Sequence, residues 1–387
     1  MSSGPRKEIL GMISPAERSY LREFAKVHYS GEGALVDLGC WLGASTIELA
    51  KGLRENPHAT GRANVVHAYD RFVWEAWMDQ FVARTQLSGR YRPGDSFYQE
   101  CVNRTYPWKE NIQFHPGDLN ALGWNGSPIE FLFVDAMKSW TLANSILSNF
   151  FSALIPGRSV VVHQDFAHFG THWIHLIMYR LRNYFEPVHD IPHSWSIVFR
   201  YREAIPSGML VDSYSPALFS IEEVEAAFEY SSSIVAFEKQ AQIVGAKVMA
   251  LLERGDVYRA WKELEHAKAA SLSYADLDLP LGLWFPSMIM GELGRKQMEW
   301  EAISLELDGL RRELKKLRAE PKSLQLDCDQ LRTSVEAVEN LRRELDDTRV
   351  SLQQARELIE SMQSTKLGKL KKSWYQFKRV IGSTGSK

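Results

Sequence analysis

Cysteine is scarce in this chain of 387 residues: Cys40, Cys101 and Cys328 are far apart and odd in number. Their spacing fits neither a structural metal knot nor a disulfide framework, so a reducing compartment is expected, the cytoplasm. No apolar run is as long as a membrane span, and residues 1–11 lack the apolar core of a signal peptide. Charge of one sign is not in excess, with 46 basic against 48 acidic residues. A net charge of −2 gives no footing for nucleic acid as a partner. Also missing is Gly-x-Gly-x-x-Gly, which makes a dinucleotide pyrophosphate a poor candidate ligand. Hydrophobic residues, by contrast, make up 45% of the chain, enough for a packed core, and its length predicts more than one unit.

Residues 1–205 alternate short apolar runs with helical patterns, the signature of βαβ units. Strands are predicted at 34–38, 65–69, 112–115, 130–134 and 159–163, with 188–191 and 196–201 as a closing antiparallel pair. The predicted fold class is α/β, a Rossmann-like doubly wound sheet, mostly parallel with an antiparallel last strand. Ser14-Pro15-Ala16-Glu17 and Ser220-Ile221-Glu222-Glu223 read as capping boxes that open helices. Residues 206–296 read as a helical region without chemical motifs, broken near Gly255.

From 297 to 365 the pattern turns heptad-like. Val338, Leu341, Leu345, Thr348, Leu352, Ala355, Ile359 and Met362 alternate steps of three and four, which predicts a coiled coil and self-association. A long helix packed on its own domain is the alternative. Residues 366–387 hold six lysines and one arginine without an acid, and Leu367, Leu370, Trp374, Phe377 and Ile381 share one helical face. Such a helix can lie on an anionic membrane, which would make the protein peripheral at the inner face. A frayed, solvated tail is the other reading.

Chemistry concentrates where strands end. Val36-Asp37-Leu38-Gly39-Cys40-Trp41-Leu42-Gly43-Ala44-Ser45 is a strand, an acid, a glycine turn and a helix start. Free N–H groups at that helix start suit a carboxylate. Asp70 closes the next strand, where an acid can accept from ribose hydroxyls. Asp118 follows the third and Asp135 the fourth, with Lys138 three residues on. Four acids at four successive strand ends are far more specific than one. His163, His168, His172 and His175 cluster after the fifth strand beside Asp165. They could be core and rim residues, a general base, or part of a zinc site.

On these residues the chain resembles class I S-adenosylmethionine-dependent methyltransferases over about residues 8–203, within the catechol and macrocin O-methyltransferase-like group. The resemblance implies S-adenosyl-L-methionine as cofactor, held by Asp37, Gly39, Gly43, Ser45, Asp70 and Asp118. It implies a magnesium ion on Asp135 and Asp165, and catalytic roles for Asp135 and Lys138, with Lys138 or a histidine such as His168 as base. Gln164 departs from the family pattern, which has an acid before the asparagine that completes the metal site. The expected reaction is O-methylation of a small-molecule or glycan acceptor. Residues 364–374 resemble tails of bacterial surface-polysaccharide proteins, which points to a glycan. Two rivals remain: a degenerate cofactor-binding scaffold whose working part is the coiled coil, and a hydroxylase-like relative on the same fold.

Overall fold

The computed structural model describes residues 10–59, 65–124, 126–211, 213–269, 302–315 and 325–363. It divides into two compact units, 1–250 and 251–387. The basic segment 366–387 lies outside the described residues, as do the side chains of Ala355, Ile359 and Met362. Among the described residues, no helix is long and apolar enough to cross a membrane.

The first unit is built on seven strands, β1 (Ala34–Leu38), β2 (Val66–Asp70), β3 (Ile112–Pro116), β4 (Ile129–Val134), β5 (Val160–His163), β6 (Phe185–Asp190) and β7 (Ile197–Tyr201). Their order is β3-β2-β1-β4-β5-β7-β6, parallel throughout except for β7, which runs antiparallel to both neighbours. This is the predicted Rossmann-like sheet with an antiparallel strand near one edge. Every residue of β1 and β4 is buried. Apart from one acid each, Asp37 and Glu130, they are apolar, because helices cover both faces of a parallel sheet. β6 begins three residues before its predicted start. It is an edge strand with mixed burial, and its register slips between Pro187 and His189, so no clean alternation marks it.

Helix α1 (Pro15–Glu23) precedes β1, helices α2 (Ala44–Glu55), α3 (Asp79–Val82), α4 (Tyr98–Thr105), α5 (Trp140–Phe150) and α6 (His172–Arg180) lie between the strands, and α7 (Ser207–Val211), α8 (Ile221–Ser233) and α9 (Gln240–Glu253) follow them. Both capping boxes are present: Ser14 and Glu17 close α1, and Ser220 and Glu223 close α8. On one face of the sheet, Leu49, Ala50 and Leu53 of α2 pack in a cluster with Phe24, Phe131 and Val162. Ile146, Leu147 and Phe150 of α5 are likewise fully buried.

The chain runs outward from β1 through β2 to β3, then returns to place β4 on the other side of β1. The order therefore reverses between β1 and β4, and ligands of open α/β sheets bind beyond the carboxyl ends at such a point. Register aligns those ends: Leu38 lies beside Tyr69 and Val134, Asp70 beside Pro116, and Val134 beside His163.

The second unit contains α10 (Val257–Ala269), α11 (302–315) and α12 (Gln325–Gln363). Gly255 separates α9 from α10, as expected. The apolar seam of α12 is partly covered by its own chain. Val335 and Val338 share a groove with Leu307 and Leu310 of α11, and Leu352, buried, lies by Val257 and Tyr258 of α10. Leu341 stays 51% exposed.

Candidate active site

The strand ends open onto a cavity of about 570 Å³, inside the range of about 300–1,000 Å³ usual for small-molecule sites. Its wall takes residues from every parallel strand end: Gly39 after β1, Asp70 on β2, Gly117 and Asp118 after β3, Asp135 and Lys138 after β4, Asp165 and His168 after β5. Apolar and aromatic side chains complete it, among them Met12, Trp41, Trp77, Leu142 and Trp195.

The glycine turn is held by backbone bonds. Gly39 N–H donates to Tyr69 O at 2.8 Å, and Asp135 N–H donates to Leu38 O at 2.8 Å. Gly39 has φ +91°, and a Cβ there would come within 2.6 Å of Asp135 O. Gly43 caps α2 at φ +85°, with Thr105 Cγ2 where its Cβ would be. Both positions thus require glycine for conformation and for space. Between them Trp41 adopts φ +43°, and its N–H donates to Asp70 Oδ2 at 2.9 Å. Phe72 N–H holds the other oxygen, Asp70 Oδ1, at 2.7 Å. The Asp70 carboxylate is fixed at the cavity edge by main-chain donors, with further lone pairs for a ligand. Burial pushes its pKa up, against these bonds.

Asp37 and Ser45 stand behind this wall instead of lining it. Asp37 is wholly buried, and its Oδ2 accepts from Ser45 Oγ at 2.8 Å and Thr46 Oγ1 at 2.6 Å, tying β1 to the first turn of α2. Burial raises its pKa to about 6 despite the two hydroxyls. Its Oδ1 has no hydrogen-bond partner among the described residues. Asp118 sits exposed at the rim, where Oδ1 accepts from Asn120 N–H at 2.8 Å.

Past β4 and β5 the geometry alters three sequence expectations. Lys138 Nζ donates to Asp135 Oδ1 at 2.8 Å and also contacts Asp165. Burial would lower its pKa, but the two carboxylates outweigh that and hold it well above the usual lysine value. It is an ammonium and not a base. His168 is no better placed to take a proton. Gly170 N–H donates to its Nδ1 at 3.1 Å, so the neutral ring carries its proton on Nε2 and its one lone pair is engaged. Burial lowers its pKa, against Asp165 and with Lys138.

The third alteration concerns metal. Magnesium needs hard oxygen ligands and keeps several waters. Here the space between Asp135 and Asp165 takes the Lys138 ammonium. The Gln164 amide turns its NH2 toward the same acids, 3.1 Å from Asp135 Oδ1 and 2.6 Å from Asp165 Oδ1, because its oxygen would otherwise face only acceptors. A donor stands where a ligand oxygen is required, so these residues do not fit the magnesium site that the resemblance implies. Nor do the histidines gather around zinc. His163 lies between the rings of Phe151 and Phe199, and His175 Nδ1 is 2.9 Å from Ser231 Oγ. Among the described residues, no three His, Cys, Asp or Glu side chains are grouped to hold a metal.

No protein-family profile matches the chain, and no curated protein matches it. Solved structures do. The chain is similar to the O-methyltransferase from Bacillus cereus in complex with SAH, at 14% identity over 50% of this chain and 84% of that one, with a TM-score of 0.33. It is similar to a putative O-methyltransferase from Klebsiella pneumoniae, at 13% identity over 51% and 84%, TM-score 0.34. A methyltransferase from Geobacter sulfurreducens gives 13% identity over 49% and 80%, TM-score 0.32. Likeness at this level bears no weight about the reaction.

Several wall residues had no signal in the sequence. Met12, Trp77 and Trp195 come from separate connections, Trp77 from a short 3-10 turn, and only the sheet brings them together. Trp41 was visible between its two glycines, but nothing in the string marked it as cavity wall. Gln164 stood out only as a departure from the family pattern, and its amide is a donor.

Proposed function

We propose that the first unit is a methyltransferase that binds S-adenosyl-L-methionine at these strand ends and methylates an oxygen of a small-molecule acceptor. The observation that carries this reading is the row of Asp70, Asp118 and Asp135 around one cavity beside a bare glycine turn. Asp70 is placed to accept from a ribose diol, and the open oxygen of Asp118 to accept from an adenine amino group. Gly39 leaves room for the amino-acid end. Charge points the same way. The wall carries five acids (Asp70, Glu75, Asp118, Asp135, Asp165) against Arg71 and Lys138. Such a surface attracts a sulfonium cation and repels the phosphates of a dinucleotide.

When bound, the cofactor supplies an electrophilic methyl group on a positively charged sulfur. The chain must then hold an acceptor in line and remove its proton. Asp135 is the group for that proton. It lies at the β1–β4 switch point, and burial raises its pKa above the ordinary carboxylate range, which makes it a stronger base. Lys138 holds the Asp135 carboxylate in place and keeps one N–H for the acceptor.

Titration calorimetry tests the reading. Saturable binding of S-adenosylmethionine and of its demethylated product is expected, weakened by about 1–3 kcal/mol in Asp70→Asn, which keeps the shape but loses the charge. No binding of either compound to the intact chain would leave the scaffold reading standing.

A further inference from the structure

We propose that the Lys138 ammonium is a permanent, covalently attached substitute for a divalent cation: it keeps metal ions out of the cleft and presents its remaining N–H to a single neutral hydroxyl of the acceptor. The part concerning the acceptor rests on the methyltransferase reading. The part concerning the cation stands independently.

The loop that carries Lys138 is fixed at every residue. Asp135 N–H is bonded to Leu38 O. Lys138 N–H turns back onto Ala136 O at 2.8 Å, which brings residue 138 over residue 135. Met137 between them is buried, and its carbonyl accepts from Trp173 Nε1 at 2.8 Å. The second acid is anchored as firmly, since Asp165 O accepts from Thr171 Oγ1 at 2.7 Å and from His168 N–H at 3.0 Å. Lys138 therefore meets two preplaced carboxylates from two strand ends. An ammonium has three N–H donors. Two go to Asp135 and Asp165, while 48% of the side chain stays exposed on the cavity wall. The third donor is free for a ligand.

Charge and shape then set the acceptor's class. Two carboxylates and one ammonium leave the cluster with one net negative charge, so a phosphate or carboxylate group on the acceptor would be repelled. A divalent ion can chelate two adjacent oxygens, whereas one N–H can orient only one. Trp77, Trp195 and Leu142 offer flat apolar surface near this donor's cavity. A neutral molecule with an apolar or aromatic body and one hydroxyl fits, and a vicinal diol is not required.

The test measures Mn2+ binding by calorimetry, without S-adenosylmethionine, in the full chain and in Lys138→Met. The wild type should show no saturable binding. Lys138→Met leaves two facing carboxylates without a counter-cation and should gain one saturable Mn2+ site. Its melting temperature should fall and recover with Mn2+. Lys138→Arg, which keeps the charge, should stay metal-free. If Lys138→Met does not fold, Lys138→Gln takes its place. Stoichiometric Mn2+ binding to the wild type that disappears in Asp165→Asn would overturn the inference. So would an absence of binding in both the wild type and the lysine variants that fold. Parallel titrations with S-adenosylmethionine separate the two claims: a cation result that holds while the cofactor fails to bind removes only the acceptor part.

Discussion

At the scale of single residues, the site turns on which groups are charged and which way their hydrogens point. Asp135 and Lys138 are three residues apart, yet burial raises the pKa of one and pairing holds the other as a cation, which in the proposed reaction makes Asp135 the base and Lys138 its fixed partner. Asp135→Asn should leave S-adenosylmethionine binding nearly unchanged while slowing methyl transfer by about 10²–10⁴-fold, the usual contribution of a positioned base. The readout is release of S-adenosylhomocysteine with a panel of hydroxylated aromatic acceptors. Because burial raises Asp135, activity should climb with pH along a limb lying above the ordinary aspartate value of about 3.9. A variant that turns over like the wild type would move the proton to another group. The spacing of these acids was legible in the sequence. Their protonation was not, because it depends on burial and on Asp165 arriving from another strand.

At the scale of elements, α1 links the core to the cavity. Ser14 Oγ accepts from Glu17 N–H, and the Glu17 side chain in turn accepts from Ser14 N–H and from Ser196 Oγ beside β7. Met12, two residues before the cap, is in the cavity wall. Ser14→Ala should cost about 1 kcal/mol through the lost cap. It should also loosen residues 10–14, so cofactor affinity should fall along with the melting temperature. Thermal melting and calorimetry on one preparation check both; a lower melting temperature with unchanged affinity would separate the cap from the site. This capping box was readable from four letters, since it is a local interaction. The bond to Ser196 spans 179 residues and could not be read.

For the whole molecule, stability should depend on pH through buried groups of both signs. His163 and His175 are buried and driven down to about 3, first of all by desolvation. Unfolded, they titrate near 6.5. Between those values the unfolded chain binds more protons, so stability present above about pH 6.5 is lost as pH falls toward 3. Asp37 has the opposite sign: raised to about 6, it favours the folded state at low pH and loses that contribution as pH rises through 6. Asp70 and Asp135, also raised by burial, act in the same sense as Asp37 and offset part of what the histidines lose on acidification. Neither ring nitrogen of His163 has a partner among the described residues. His163→Phe should therefore raise stability by about 1–2 kcal/mol at neutral pH and reduce the acid loss. Urea denaturation at pH 7 and pH 5 measures both effects, and an unchanged difference between the two would exclude His163. In the second unit, Leu305 and Leu341 are 70% and 51% exposed on described helices. Self-association through such positions is expected, and light scattering should show a smaller species for Leu305→Glu with Leu341→Glu. A wild type that is already monomeric would leave the seam of α12 to its own chain.

What the sequence alone determined was everything set by neighbours along the chain: strand runs, glycine turns, capping boxes, and acids at the ends of β1 to β4. These depend on period and local hydrogen bonding, which a string of residues records. Tertiary structure decided the rest. It set Asp37 behind the wall, engaged the His168 lone pair with Gly170, and closed part of the α12 seam with α10 and α11. It also put an ammonium and an amide donor between two carboxylates. Each of these outcomes depends on which groups share a low-dielectric space, and distance along the chain carries no information about that.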